Sequence, residues 1–114
     1  MAENILSKRQ INNLVKRLAK KAREDKMPIS RAFVFGSYAR NKANKNSDLD
    51  LCFISPKFKD TIQVEAYLRT EICFFKNPEY NIPIDIVACR PREFQATAPL
   101  VYEIMEHGKE IKIK

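Results

Sequence analysis

Three aspartates and one glycine-serine pair are the residues of this chain whose types and spacing could do chemistry. Asp48 and Asp50 open the apolar run that ends at Ile54, and Asp85 stands inside a second apolar run, Ile82 to Val87. If residues 48–54 form a β-strand, alternate side chains share a face, so the two carboxylates point the same way, about 6.5–7 Å apart. Like charges so placed repel unless a cation lies between them. Magnesium suits the position, because it takes hard oxygen ligands and is held by one or two carboxylates together with substrate phosphates. Gly36 and Ser37 follow directly on Ala32-Phe33-Val34-Phe35. A glycine there lets the backbone turn sharply and approach a phosphate, to which the neighbouring amides and the Ser37 hydroxyl can donate.

The elements that must position these residues are legible from pattern. Ser7 and Gln10 have capping-box spacing, with Leu6 and Ile11 at the hydrophobic-staple positions. Ile11, Leu14, Val15, Leu18, Ala19 and Ala22 then form one apolar stripe at helical spacing, ending before Pro28. A first strand is expected over 32–35, a short helix over 38–40, a polar loop over 41–47 and a second strand over 48–54. Asp60 can cap a helix over 61–76 whose Val64, Leu68, Ile72 and Phe75 face inward. A third strand is expected over 82–89, with Pro83 near its start, where a missing amide hydrogen is tolerable. A last helix over 98–107 has Thr97 as its expected cap, a core face of Leu100, Val101, Ile104 and Met105, and Gly108 beyond its end. The tail from Lys109 to Lys114 reads as a short edge strand. Together these predict an α/β (α+β) domain over 1–114, with a small mixed sheet of three to four strands and helices packed on one face.

At the chemical residues the chain resembles the minimal nucleotidyltransferases (MNT domains) of the DNA polymerase β superfamily. The shared pattern is Gly-Ser, ten intervening residues, Asp-x-Asp, and a third Asp on a later strand; here these are Gly36-Ser37, Asp48-x-Asp50 and Asp85. Ala39 and Arg40 also fit the family's opening. Asn41 stands where that opening usually has a second glycine, and Asn tolerates the left-handed backbone better than most residues. The resemblance covers about residues 30–112. It implies the polymerase β-like fold and transfer of a nucleoside monophosphate, AMP from ATP, to an acceptor hydroxyl with the help of two Mg2+ ions. In that scheme Asp48, Asp50 and Asp85 are metal ligands and catalytic residues, and Asp85 helps orient and deprotonate the acceptor. Gly36, Ser37 and Arg40 bind the nucleotide, with Lys42 and Lys45 as further candidates for neutralising phosphate charge. The resemblance also implies a protein partner of the helical HEPN type, a toxin whose tyrosine this antitoxin would adenylylate.

Composition bounds these readings. A chain of 114 residues, 45% apolar, suits one compact domain. Neither a membrane-spanning run nor a signal peptide is expected. Cys52, Cys73 and Cys89 lack metal-ligand spacing and are expected as reduced, buried thiols of a cytoplasmic protein. Residues 1–45 carry 12 Lys and Arg against 3 Asp and Glu, within a net charge of +7. Such a field attracts a nucleoside triphosphate, an RNA or an acidic protein, and equally describes a solvated helix face. Nucleic acid stays possible, but no module for it is present. His107, beside Gly108, suits a helix C-terminus better than catalysis. Two other functions stay open: a non-catalytic antitoxin or scaffold acting by contact, and a nucleotidyltransferase acting on a small molecule or an RNA end.

Overall fold

In a computed structural model of the chain, the structure is described for residues 5–113. The first helix, α1 (Lys8–Glu24), starts with the expected reciprocal cap: the Ser7 hydroxyl accepts from the Gln10 amide, and the Gln10 side chain accepts from the Ser7 amide. All six residues of its predicted stripe are buried. The strands are β1 (Arg31–Phe35), β2 (Leu49–Ile54), β3 (Ile84–Cys89) and β4 (Lys109–Ile111). They form one sheet in the order β3-β2-β1-β4, with β2 and β3 parallel and both other pairings antiparallel. Parallel neighbours need a long crossover, supplied here by α2 (Thr61–Phe75), whose Asp60 cap accepts from the amides of Ile62 and Gln63.

Strand alternation divides the core in two. Ala32 and Val34 of β1, Leu49, Leu51 and Phe53 of β2, and Ile86 and Ala88 of β3 join α1 and α2 in the larger cluster. Phe33, Phe35, Cys52, Ile54 and Cys89 face the other way, where Ile104 of α3 (Pro99–His107) packs on them. By the same alternation Asp50 and Asp85 belong to this second face, away from α1 and α2. Phe94 extends the cover there by stacking on Phe33, ring centroids 5.3 Å apart. At the sheet's margin the Ala88 amide donates to Glu65 Oε2 of α2 at 3.0 Å.

Several local expectations are corrected. Leu100 and Met105 are exposed, at 44% and 51%, while Val101 and Ile104 are buried. The nine-residue α3 has apolar residues around most of its circumference, and it buries one narrow stripe on the sheet with no further layer above it. Its N-cap is Ala98, which makes no side-chain cap bond, rather than Thr97. Cys73 is exposed, whereas Cys52 and Cys89 are buried beside each other, and the hydrogen bond that Cys52 donates to Cys89, together with burial, pushes the Cys52 thiol up. The predicted helix over 38–40 is instead a 3-10 turn, Gly36–Tyr38. Strand β3 begins at Ile84 and β4 ends at Ile111; position 114 of the predicted tail strand lies outside the described residues.

Burial separates two leucines that look alike in sequence. Leu68→Ala empties space in the core and should cost about 2–5 kcal/mol. Leu100→Ala should change stability by less than about 0.5 kcal/mol, and urea unfolding of the two variants checks the contrast.

Candidate active site

The site forms where β1 ends and β2 and β3 begin. Phe35, the last residue of β1, lies opposite Asp50, and Asp50 lies opposite Asp85 across the parallel pair. Asp50 and Asp85 are thus brought together by register, although 35 positions separate them in the chain. Asp48 lies one residue ahead of β2, because the strand starts at Leu49 rather than at 48. It is exposed, while Asp50 is half-buried. Asp85 is exposed as well. Strand alternation turns Asp85 to the open face while Ile86 enters the core.

Gly36 makes this crowding possible. Its φ is +72°, a left-handed conformation that costs an L-residue roughly 1–2 kcal/mol. A Cβ built there would also collide with Asp50 Oδ2, so the site needs glycine on two independent grounds. Beyond it, the first turn amides that bond back are those of Ala39 and Arg40, both to Gly36 O. The amides of Ser37 and Tyr38 precede that ladder and suit an anion at the turn. Asn41, in the place of the second glycine, has φ +58°, as its tolerance of left-handed backbone predicts.

The electrostatics are unbalanced. Burial first, then the negative charges of Asp85 and Asp48, push the Asp50 carboxyl up to about 6 from an ordinary 3.8. Among the described residues, no three His, Cys, Asp or Glu side chains converge into a ready cage for a metal ion. The donor set nonetheless fits magnesium, which is commonly bound by one or two carboxylates and completes its shell with water and phosphate oxygens. A cation there would relieve the repulsion that raises Asp50. The surroundings are open: a cleft of about 430 Å³ lies elsewhere, lined by Ile72, Cys73, Lys76, Asn77, Pro78, Tyr80 and Asn81.

Arg40 is placed in a way the sequence did not signal. Its Nη2 donates to both carboxylate oxygens of Glu103 on α3, at 3.1 and 2.8 Å. The Tyr38 hydroxyl accepts from the Leu6 amide at 3.3 Å and ties the turn to the start of α1. Lys42 and Lys45 are exposed on the loop that follows.

Two outcomes follow from this geometry. Gly36→Ala should destabilise the fold by about 1–3 kcal/mol through backbone strain, with more from the collision, seen as a lower thermal midpoint. Asp50 acts opposite to the usual carboxylate. Its folded value lies above its ordinary one, so the native state binds the extra proton, and this group's stability contribution falls as pH rises from about 4 through 6. Asp50→Asn should therefore melt above the wild type at pH 7.5, with the difference shrinking toward pH 4. Added magnesium should narrow the difference by stabilising only the wild type, as calorimetry at several pH values would show.

The chain resembles known proteins in both sequence and fold. The sequence profile of the family described as "Nucleotidyltransferase domain" matches residues 15–111. No curated protein gives a significant sequence match. Among solved structures, one described as a toxin-antitoxin with AMP-PNP superposes with a TM-score of 0.63 at 18% identity, covering 90% of this chain and 73% of the other. A mutant form of the toxin-antitoxin MntA-HpeT gives 0.63 at 17% identity, with the same coverages. A second MntA-HpeT mutant gives 0.60 at 18% identity, covering 96% and 75%. At these identities the superpositions establish a shared fold. The profile match spans most of the chain and includes Gly36, Ser37 and all three aspartates, so the chain belongs to the nucleotidyltransferase domain family.

Proposed function

We propose that this chain is a magnesium-dependent nucleotidyltransferase that moves AMP from ATP onto a hydroxyl of a partner protein, releasing pyrophosphate. The observation that carries the reading is the in-register placement of Asp50 against Asp85 beside a left-handed glycine turn that lies against Asp50. In this scheme Gly36 and Ser37 receive the β- and γ-phosphates. Asp48 and Asp50 hold Mg2+, which when bound neutralises charge on the triphosphate and on the departing pyrophosphate. Asp85 accepts the proton of the acceptor hydroxyl as its oxygen bonds to the α-phosphorus and the bond to the bridging oxygen of the β-phosphate breaks. Asp50 must be ionised to bind the cation, so activity should rise with pH through about 6.

Three of the structures it superposes on are of toxin-antitoxin proteins, one with AMP-PNP. By analogy the partner is a toxin of the helical HEPN type, its acceptor a tyrosine, and this chain the antitoxin. Among the described residues no helix is long and apolar enough to cross a membrane, and a cytoplasmic setting, where ATP is available, fits the scheme.

Incubation with magnesium and α-labelled ATP, with and without the protein encoded beside it, tests the reading. Label should appear on the neighbour and fall by at least about 100-fold with Asp48→Asn, Asp50→Asn, as expected when groups central to a transfer step are removed. Tight binding to the neighbour without transfer would instead establish neutralisation by contact. Transfer without any protein partner would point to a small molecule or an RNA end.

A further inference from the structure

Arg40 and Glu103 lie 63 positions apart, yet α3 brings them together at the margin of the candidate site. Arg40 follows the glycine turn directly, and its own amide bonds to Gly36 O at 3.2 Å. Its guanidinium is therefore tethered at two points, through the backbone to the phosphate turn and through Nη2 to a carboxylate on a packed helix. That helix is fixed in turn by Ile104, the residue next to Glu103, which is wholly buried against the sheet.

A guanidinium has five N–H donors in a rigid fork. Both bonds to Glu103 come from Nη2, and among the described residues Nε and Nη1 of Arg40 make no hydrogen bond. A carboxylate that competed for the whole fork would face it with both oxygens on two nitrogens, as Glu110 faces Nε and Nη2 of Arg31. Glu103 instead holds one corner and leaves the other two nitrogens to donate. Both side chains of the pair are more than a third exposed, so it adds little to stability, and a structural role alone gives it small value.

We propose that Glu103 is a positioning residue for nucleotide binding, which holds Arg40 by one nitrogen so that Nε and Nη1 meet the outer phosphates of the triphosphate. The inference rests on the nucleotidyl-transfer reading of the same site. It moves part of the nucleotide-binding machinery onto α3, outside the Gly-Ser and Asp-x-Asp segments. Holding one long side chain in place before the ligand arrives removes an ordering cost of about 0.5–1.5 kcal/mol from binding, and a fixed donor fork favours ligands with oxygens in reach over those without.

Titration of the protein with magnesium and the non-hydrolysable analogue AMP-PNP, and separately with AMP, tests this. Glu103→Ala should weaken AMP-PNP binding about 3- to 10-fold, the equivalent of that ordering cost, and leave AMP binding unchanged. Arg40→Ala should give at least the same loss, and the double variant should lose no more than Arg40→Ala alone, because Glu103 acts only through Arg40. Glu103→Gln keeps one amide oxygen as an acceptor for Nη2 and should restore most of the affinity. That variant, together with circular dichroism of each protein, separates an effect on binding from a failure to fold. Tighter AMP-PNP binding by Glu103→Ala would overturn the inference by showing that Glu103 competes with phosphate. Equal losses for AMP and AMP-PNP, or unchanged affinity, would overturn it as well. Absence of AMP-PNP binding by the wild type would overturn the nucleotidyl-transfer reading and this inference together.

Discussion

Repulsion among acids gathered on one sheet face is the interaction on which the rest of the structure turns. Parallel pairing of β2 with β3 sets Asp50 against Asp85, and Asp48 adds a third negative charge nearby. A fold selected for stability alone would separate them, since each raises the cost of ionising Asp50. The arrangement persists because the larger core is complete without these positions: Leu49, Leu51 and Phe53 of β2 are wholly buried among α1 and α2. Along β2 the acid's face is charged only at the start of the strand; farther on, Cys52 and Ile54 are buried on that same face against Ile104.

The same division explains the sheet order. Two acids from separate segments share a face at the same level when their strands are neighbours in register, and the parallel pairing that does this here requires a crossover. Helix α2 is that crossover, and it also supplies Val64, Leu68 and Ile72 to the core. The antiparallel neighbour β1 then delivers its last residue, and the turn after it, to the level at which β2 begins. Gly36 thus reaches Asp50 by the simplest connection available, and the absence of a Cβ there is what permits the approach.

Much of this was legible in sequence where the governing physics is local. The Ser7 and Gln10 cap, the Asp60 cap, the stripe of α1 and the left-handed backbone at Asn41 each depend on residues within a few positions of one another, and all are present. The grouping of Asp50 with Asp85 was legible only through a family resemblance, because nothing in either segment states which strands are neighbours. Burial was misjudged where a short element has apolar residues on several sides. Leu100 and Met105 on α3 have the hydrophobicity of Val101 and Ile104, and the phase of nine residues does not say which stripe meets the sheet. Asp85 shows how alternation works inside an apolar run: Ile86 enters the core, and the aspartate before it points the opposite way. The contact of Arg40 with Glu103 had no signal, since surface ion pairs leave no pattern across 63 positions.

The Glu65 side chain, bonded to the Ala88 amide, carries a further consequence. Strand β3 is the outer member of the sheet on the side of the acids, and an outer strand offers unpaired amides on which another polypeptide can polymerise. Here a negative side chain from the crossover helix occupies one of those amides, that of Ala88. Growth of the sheet by strand donation is obstructed at that amide, so the crossover helix that joins β2 to β3 also guards the end of β3 farthest from the acids.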